Sequence, residues 1–134
     1  CNGYDVIVTG IDKKPEVFTD FSQHPFVNRP SKLVNDKGLK SNAAGRYQFM
    51  ARYWLSYKQS LNLPDFGPES QDKWAIQLIR ECGALGLIQA GRFADAIQMC
   101  RSRWASLPGA GYGQRENPLA ALQAVYVRAG GVVA

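Results

Sequence analysis

Ser41-Asn42-Ala43-Ala44-Gly45-Arg46-Tyr47-Gln48-Phe49-Met50 opens with small residues and closes with bulky, aromatic ones. A run of Ser, Ala and Gly lets the backbone approach another surface closely, because little side chain stands between. The Tyr47-Gln48 pair then supplies a flat face, a hydroxyl and an amide, which suit sugar rings carrying hydroxyl and acetamido groups. Two readings stand open: a helix start whose small residues serve packing, or a segment that faces a ligand.

Downstream, Tyr47, Met50, Tyr53, Trp54, Tyr57 and Leu61 recur at helical spacing, which predicts a helix over residues 44–61, stopped by Pro64 and Gly67. Pro68-Glu69-Ser70 predicts the start of another, with Trp74, Leu78, Ile79 and Cys82 inward and Gly83 as its C-terminal cap. Further helices are expected over residues 85–90, over 92–104 with Phe93, Ile97 and Cys100 on one stripe, and over 118–128 with Leu119, Leu122 and Tyr126. Upstream, Tyr4-Asp5-Val6-Ile7-Val8-Thr9 is rich in β-branched residues and ends at Gly10, so it reads as a strand. Val17-Phe18-Thr19-Asp20-Phe21 reads as a second strand, reached through a Lys13-Lys14-Pro15 turn. Residues 22–40 read as a polar loop with one short strand at Lys32-Leu33-Val34. A small β-ribbon followed by a mostly helical body argues for an α+β fold.

The chain has 134 residues, 46% hydrophobic and 20% charged, a length and balance that fit one globular domain with a real core. No window has the apolar length of a membrane span, and no signal-peptide pattern opens the chain. Cys1, Cys82 and Cys100 form no CxxC pair, and Cys82 and Cys100 fall at apolar helical positions, so they are expected as buried free thiols. With His24 the only histidine, neither a His/Cys zinc site nor a convincing Ser-His-Asp triad can be assembled, and no metal or organic cofactor is expected. The net charge is +5, and from Ala84 onward Arg92, Arg101, Arg103, Arg115 and Arg128 face only Asp95 and Glu116. Such a surplus favours polyanions, but it also serves solubility, and no dense basic block marks a nucleic-acid binder.

Trp104-Ala105-Ser106-Leu107-Pro108-Gly109-Ala110-Gly111-Tyr112-Gly113-Gln114 predicts an irregular loop between two helices. It lacks the lysine and Ser/Thr of a phosphate-binding loop, and no strand precedes it as a dinucleotide fingerprint requires. It is either a structural turn or a platform on which exposed Tyr112 stacks a ligand.

Several segments in consistent order carry a resemblance. Gly3-Tyr4-Asp5-Val6-Ile7-Val8, Phe18-Thr19-Asp20, His24-Pro25, Ala44-Gly45-Arg46-Tyr47-Gln48, Ser70-Gln71-Asp72, Gly83-Ala84-Leu85 and the loop over 104–114 are similar to the lambda-type phage endolysins, a lytic transglycosylase family. The resemblance covers nearly the whole chain. It implies a lysozyme-like fold with a cleft between a small β-ribbon lobe and a larger helical lobe. It also implies cleavage of the MurNAc–GlcNAc β-1,4 bond of peptidoglycan by the sugar's own C6 hydroxyl, leaving a 1,6-anhydro end, for host lysis. A hydrolase needs two carboxyl groups, whereas an intramolecular nucleophile lets one acid suffice. Peptidoglycan glycan strands are then the partner, with Tyr47 and Tyr112 against sugar rings. Gln48 and Gln114 would bond acetamido or hydroxyl groups, and Ser41 and Gly45 would shape the floor. Neither nucleic acid nor stable membrane association is expected, and the protein would gather in the host cytoplasm and reach the wall after the membrane is breached.

The family's catalytic glutamate belongs to a Ser-Glu-Gly type motif upstream of the Tyr-Asp-Val strand, and no Ser-Glu-Gly occurs in this sequence. The acid is therefore expected on a helix preceding Cys1, in a longer chain or on a separate N-terminal fragment. Glu16, Asp20, Glu69, Glu81 and Glu116 offer no apolar surroundings, readable from sequence, that would raise a carboxyl pKa. None is assigned as the acid. The alternative is a catalytically inactive, wall-binding module of the same fold; a small nucleic-acid-binding protein ranks last.

Overall fold

In a computed structural model residues 2–134 are described, and the chain divides into two compact units, Cys1–Ala75 and Ile76–Ala134. Cys1 lies outside the described residues.

Among the described residues the first unit holds four two-residue strands: β1 (Lys32–Leu33), β2 (Lys40–Ser41), β3 (Ala43–Ala44) and β4 (Phe49–Met50). β1 pairs antiparallel with β2, and β3 with β4 in the register Ala43↔Met50, Ala44↔Phe49. The helix expected over residues 44–61 does not form as such. Its first part is the β3–β4 hairpin, followed by a 3-10 turn at Ala51–Tyr53, and only α1 (Trp54–Ser60) is α-helical. Two backbone angles explain the difference. Gly45 (φ +83°) and Gln48 (φ +52°) are left-handed at the two ends of the tip, which breaks any right-handed helix there. Helical spacing governs burial only from Trp54 on; Tyr53, one residue earlier, is exposed.

The expected strand over residues 4–9 shrinks to two bridge residues. Val6 bridges Val17 and Ile7 bridges Ala44, both antiparallel. The Val6 amide turns back to the Gly3 carbonyl, so on this side the ribbon begins with the Asp5 carbonyl, which accepts the Phe18 amide at 2.9 Å. The expected strand over residues 17–21 likewise reduces to Val17, because Asp20 Oδ1 accepts the Ser22 amide at 2.9 Å and bends the chain. Residues 6–8 are still the middle of a ribbon: Ile7 N donates to Glu16 O at 2.9 Å and Val8 N to Ala43 O at 3.0 Å.

Beneath the ribbon lies an aromatic core. Phe49 stacks on Trp74 (centroids 3.9 Å apart, planes at 4°), and Phe66 meets Trp54 edge-on at 5.3 Å. His24 belongs to this core rather than to a polar loop: it is fully buried, with its ring 4.9 Å from Phe66. Its Nδ1 accepts the Phe26 amide at 3.2 Å, so Nε2 carries the proton and donates to Phe49 O at 2.7 Å. Burial lowers its pKa, and the ring is neutral.

α2 (Pro68–Glu81) forms as expected, and the boundary between units falls within it. The second unit continues with α3 (Leu85–Gln89), α4 (Phe93–Cys100) and α5 (Leu119–Arg128). Gly83 (φ +75°) ends α2, with the Ala84 amide on Ile79 O at 3.1 Å. The small buried core is Ala84, Ala96 and Cys100, packed by Ile79, Leu87, Ile88, Trp104 and Leu107. Cys82 is half-buried against it and Cys100 is buried; both thiols are free, and burial first, then Cys82, push the Cys100 thiol up to about 12. α4 stops at Cys100, short of the expected Trp104, where Arg101–Arg103 turn away. Phe93 stacks on Tyr126 at 4.5 Å, seating α5, whose Leu119 faces outward against expectation. No helix among the described residues is long and apolar enough to cross a membrane.

Candidate functional site

The expected site residues fall into two groups, one in each unit. Ser41, Gly45, Tyr47 and Gln48 belong to the first, and Tyr112 and Gln114 to the second.

In the first group, residues 45–48 are the tip of the β3–β4 hairpin, closed by the Gln48 amide on Gly45 O at 3.2 Å. The Gln48 side-chain amide donates to the same carbonyl at 2.9 Å, and the residue is exposed. Ser41, at the end of β2, is half-buried, and its Oγ accepts the Ala43 amide at 3.3 Å. Gly45 serves a close approach, but an internal one. It is buried, and a Cβ there would collide with the Gln71 amide and lie 3.2 Å from the Phe66 ring. Its smallness accommodates the protein's own core rather than opening a floor to ligand.

Two residues without an assigned role hold this tip. Gln71 is fully buried; its Nε2 donates to Tyr4 O at 2.9 Å and Phe66 O at 2.8 Å, while its Oε1 accepts the Arg46 amide at 3.0 Å. Asp72 Oδ1 accepts from the Tyr47 hydroxyl at 2.6 Å and the Tyr4 hydroxyl at 2.9 Å. Burial, then the Asp72 carboxylate, raise the Tyr47 phenol well above its ordinary range. The Tyr4 ring stands edge-on to Tyr47 with centroids 6.5 Å apart, and the Arg46 guanidinium lies over the Tyr4 ring at 5.2 Å. The sequence did carry a signal for Gln71. Residues 71, 74, 75 and 78 share one helical stripe, and Trp74, Ala75 and Leu78 are buried. A polar residue on such a stripe has to be hydrogen-bonded.

In the second group, the loop over residues 104–114 is irregular as expected. Gly109, Gly111 and Gly113 all have left-handed φ between +74° and +81°. Glu116 organises it: its two carboxylate oxygens accept the Gly109 amide at 2.8 Å and the Gly111 amide at 3.0 Å. Tyr112 is 56% exposed and its hydroxyl donates to Ser102 O at 2.7 Å, so its ring, not its hydroxyl, is presented; Gln114 is exposed.

Four of the five carboxylates considered as proton donors are engaged elsewhere, and the fifth, Glu69, is exposed in the first turn of α2. Glu16 pairs with Arg29 and, at 2.9 Å, with Lys32, and these bonds hold its carboxyl at about 2. Asp20 is lowered by Ser22, and Glu116 by the Gly111 and Gly109 amides. Glu81 is ion-paired with Arg103 at 3.1 Å. Every displaced carboxylate is displaced toward the charged form, the opposite of what a general acid needs. Among the described residues no group of three His, Cys, Asp or Glu side chains converges to hold a metal. An open groove of about 370 Å³ beside Phe18, Asp20, Gln23 and Asn28 is lined by none of the six expected residues.

Residues 1–133 match the family model of the endolysins. The chain belongs to the endolysin family. It is 61% identical over 133 residues to the endolysin of Escherichia phage P2, covering 98% of this chain and 81% of that protein. It is 50% identical over 132 residues to the endolysin of Escherichia phage lambda, covering 98% and 78%. Among solved structures, a bacteriophage lambda lysozyme complexed with a chitohexasaccharide superposes with a TM-score of 0.87 at 49% identity, covering 98% of this endolysin and 79% of that chain. A second lambda lysozyme structure gives 0.82 at 47% identity, with the same coverage. The fold of the endolysin is thus α+β and lysozyme-like, and its role is that of a phage endolysin.

Proposed function

We propose that this endolysin is a lysozyme-like enzyme cleaving β-1,4 glycosidic bonds of peptidoglycan, and that it does so as a lytic transglycosylase. Support comes chiefly from the lambda lysozyme structure that holds a chitohexasaccharide, related to this chain at 49% identity over 98% of its length. In the proposed reaction the C6 hydroxyl of MurNAc attacks its own anomeric carbon and the bond to the GlcNAc oxygen breaks. A carboxylic acid protonates that leaving oxygen, and the resulting carboxylate takes the C6 hydroxyl proton. No water is consumed, and the product carries a 1,6-anhydro ring.

Within this reading Tyr47 and Tyr112 offer ring faces to sugars, Gln48 and Gln114 offer exposed amides, and Ser41 offers a hydroxyl. The proton donor is assigned to none of Glu16, Asp20, Glu69, Glu81 or Glu116. That same feature favours a second reading, a glycan-binding protein that leaves the bond intact.

Digestion of purified murein with the protein as encoded, followed by mass analysis of the muropeptides, separates the readings. Anhydro ends are expected. Ordinary reducing ends would make the enzyme a hydrolase, and binding without any soluble product would leave the second reading.

A further inference from the structure

Asp72 and Gln71 sit side by side in the first turns of α2 and grip three separate pieces of chain. Gln71 takes the backbone at Tyr4, Arg46 and Phe66. Asp72 takes side chains instead, with a single oxygen receiving the Tyr47 hydroxyl at 2.6 Å and the Tyr4 hydroxyl at 2.9 Å. An ionised acceptor makes both bonds stronger than neutral ones. They restrain the Tyr47 χ1 rotamer on a tight turn whose neighbour Gln48 is left-handed. The Phe49 ring lies 5.7 Å from Tyr47 on its other side, so the phenol is held between a packed ring and a charge.

We propose that Asp72 is a positioning residue for the hairpin tip: it fixes Tyr47 so that a glycan meets the phenol ring and not its hydroxyl. This rests on the glycan-binding reading above and adds the residue that enforces the geometry. The hydroxyl is an anchor tied to half-buried Asp72, and the ring is the recognition surface. Tyr47 in this role discriminates by ring stacking, which suits the apolar face of a pyranose.

Two measurements test it. In a spectrophotometric titration of the wild-type protein, one tyrosine should ionise well above the others. In Asp72→Asn that tyrosine should move back toward the ordinary range, since the carboxylate charge is gone while the shape is kept. Binding of a chitohexasaccharide should weaken about tenfold in Asp72→Ala, the loss of a charge-assisted bond. Tyr47→Phe should weaken it comparably, and the double variant no further, because both changes cut one tether. Losses that multiply in the double variant, or Asp72→Ala binding within twofold of wild type, would overturn the proposal. Near-ultraviolet circular dichroism checks the fold of each variant; if Asp72→Ala does not fold, Asp72→Asn replaces it throughout. Should the wild-type protein bind no chitohexasaccharide, the glycan reading falls. The titration then decides the positioning alone, and a late-ionising tyrosine unmoved in Asp72→Asn overturns it.

Discussion

The hairpin tip over residues 45–48 and the glycine loop over 104–114 carry the same kind of expected residue, a tyrosine followed closely by a glutamine. They are held in opposite ways. The tip rests on a buried amide, Gln71, and an aromatic core that includes Phe66 and Phe49. The loop rests on an exposed carboxylate, Glu116, that gathers two backbone amides at the surface. A buried anchor ties a site to global stability; an exposed one ties it only to local order. Damage at the tip should therefore unfold the protein, whereas damage at the loop should loosen it in place.

The sharpest way to break this contrast is Gly45→Val. Left-handed backbone and a collision with Gln71 and Phe66 combine, for an expected loss of about 3 kcal/mol in urea unfolding. Gln71→Ala should cost about 2–3 kcal/mol, since one buried and two part-buried backbone groups lose their partner together. If either change left the urea midpoint unmoved, the tip would not be core-anchored.

A smaller effect belongs to His24. Its folded pKa lies below the ordinary value of 6.5, so the unfolded state binds the proton more readily. Its contribution to stability is complete above pH 6.5 and is lost as pH falls through the folded value. Urea midpoints should fall between about pH 7.5 and 5.5, and a His24→Gln variant, weaker overall, should show a flatter slope there.

The mildest change is expected at the loop. Glu116→Ala should leave the global unfolding midpoint near wild type while speeding hydrogen exchange at the Gly109 and Gly111 amides. Because its folded carboxyl is lowered from 4.5, acid should produce the same local loosening. The restraint is whole above pH 4.5 and disappears as pH drops through the folded value. Equal global destabilisation by Glu116→Ala and Gln71→Ala would erase the distinction between the two regions.

Legibility in the sequence followed the range of the interactions involved. Helix α2 was readable because Pro68 at its start, Gly83 beyond its end and the Trp74–Leu78 stripe are all local signals. The loop over 104–114 was readable because three glycines and a proline within a few residues break any regular element, and Gly109, Gly111 and Gly113 do take left-handed backbone there. Residues 44–53 misled because Tyr47, Met50 and Tyr53 match helical spacing by coincidence. What converts them to a hairpin is pairing of Ala43 and Ala44 with residues 6–8, far away in the chain. His24 looked solvent-facing beside Pro25, and its burial depends on the Phe49 carbonyl, 25 residues on.

The sequence alone determined the α+β class, the family, the helical second half, and tyrosines and glutamines as the residues to watch. Each follows from neighbours along the chain or from motif order. Only the tertiary structure decided that the small-residue stretch 41–50 is a hairpin, that Gly45 makes room for Gln71, and that Asp72 holds Tyr47. Those outcomes depend on backbone and side-chain bonds between residues 25 to 68 apart, and a local pattern carries no record of a partner at that distance.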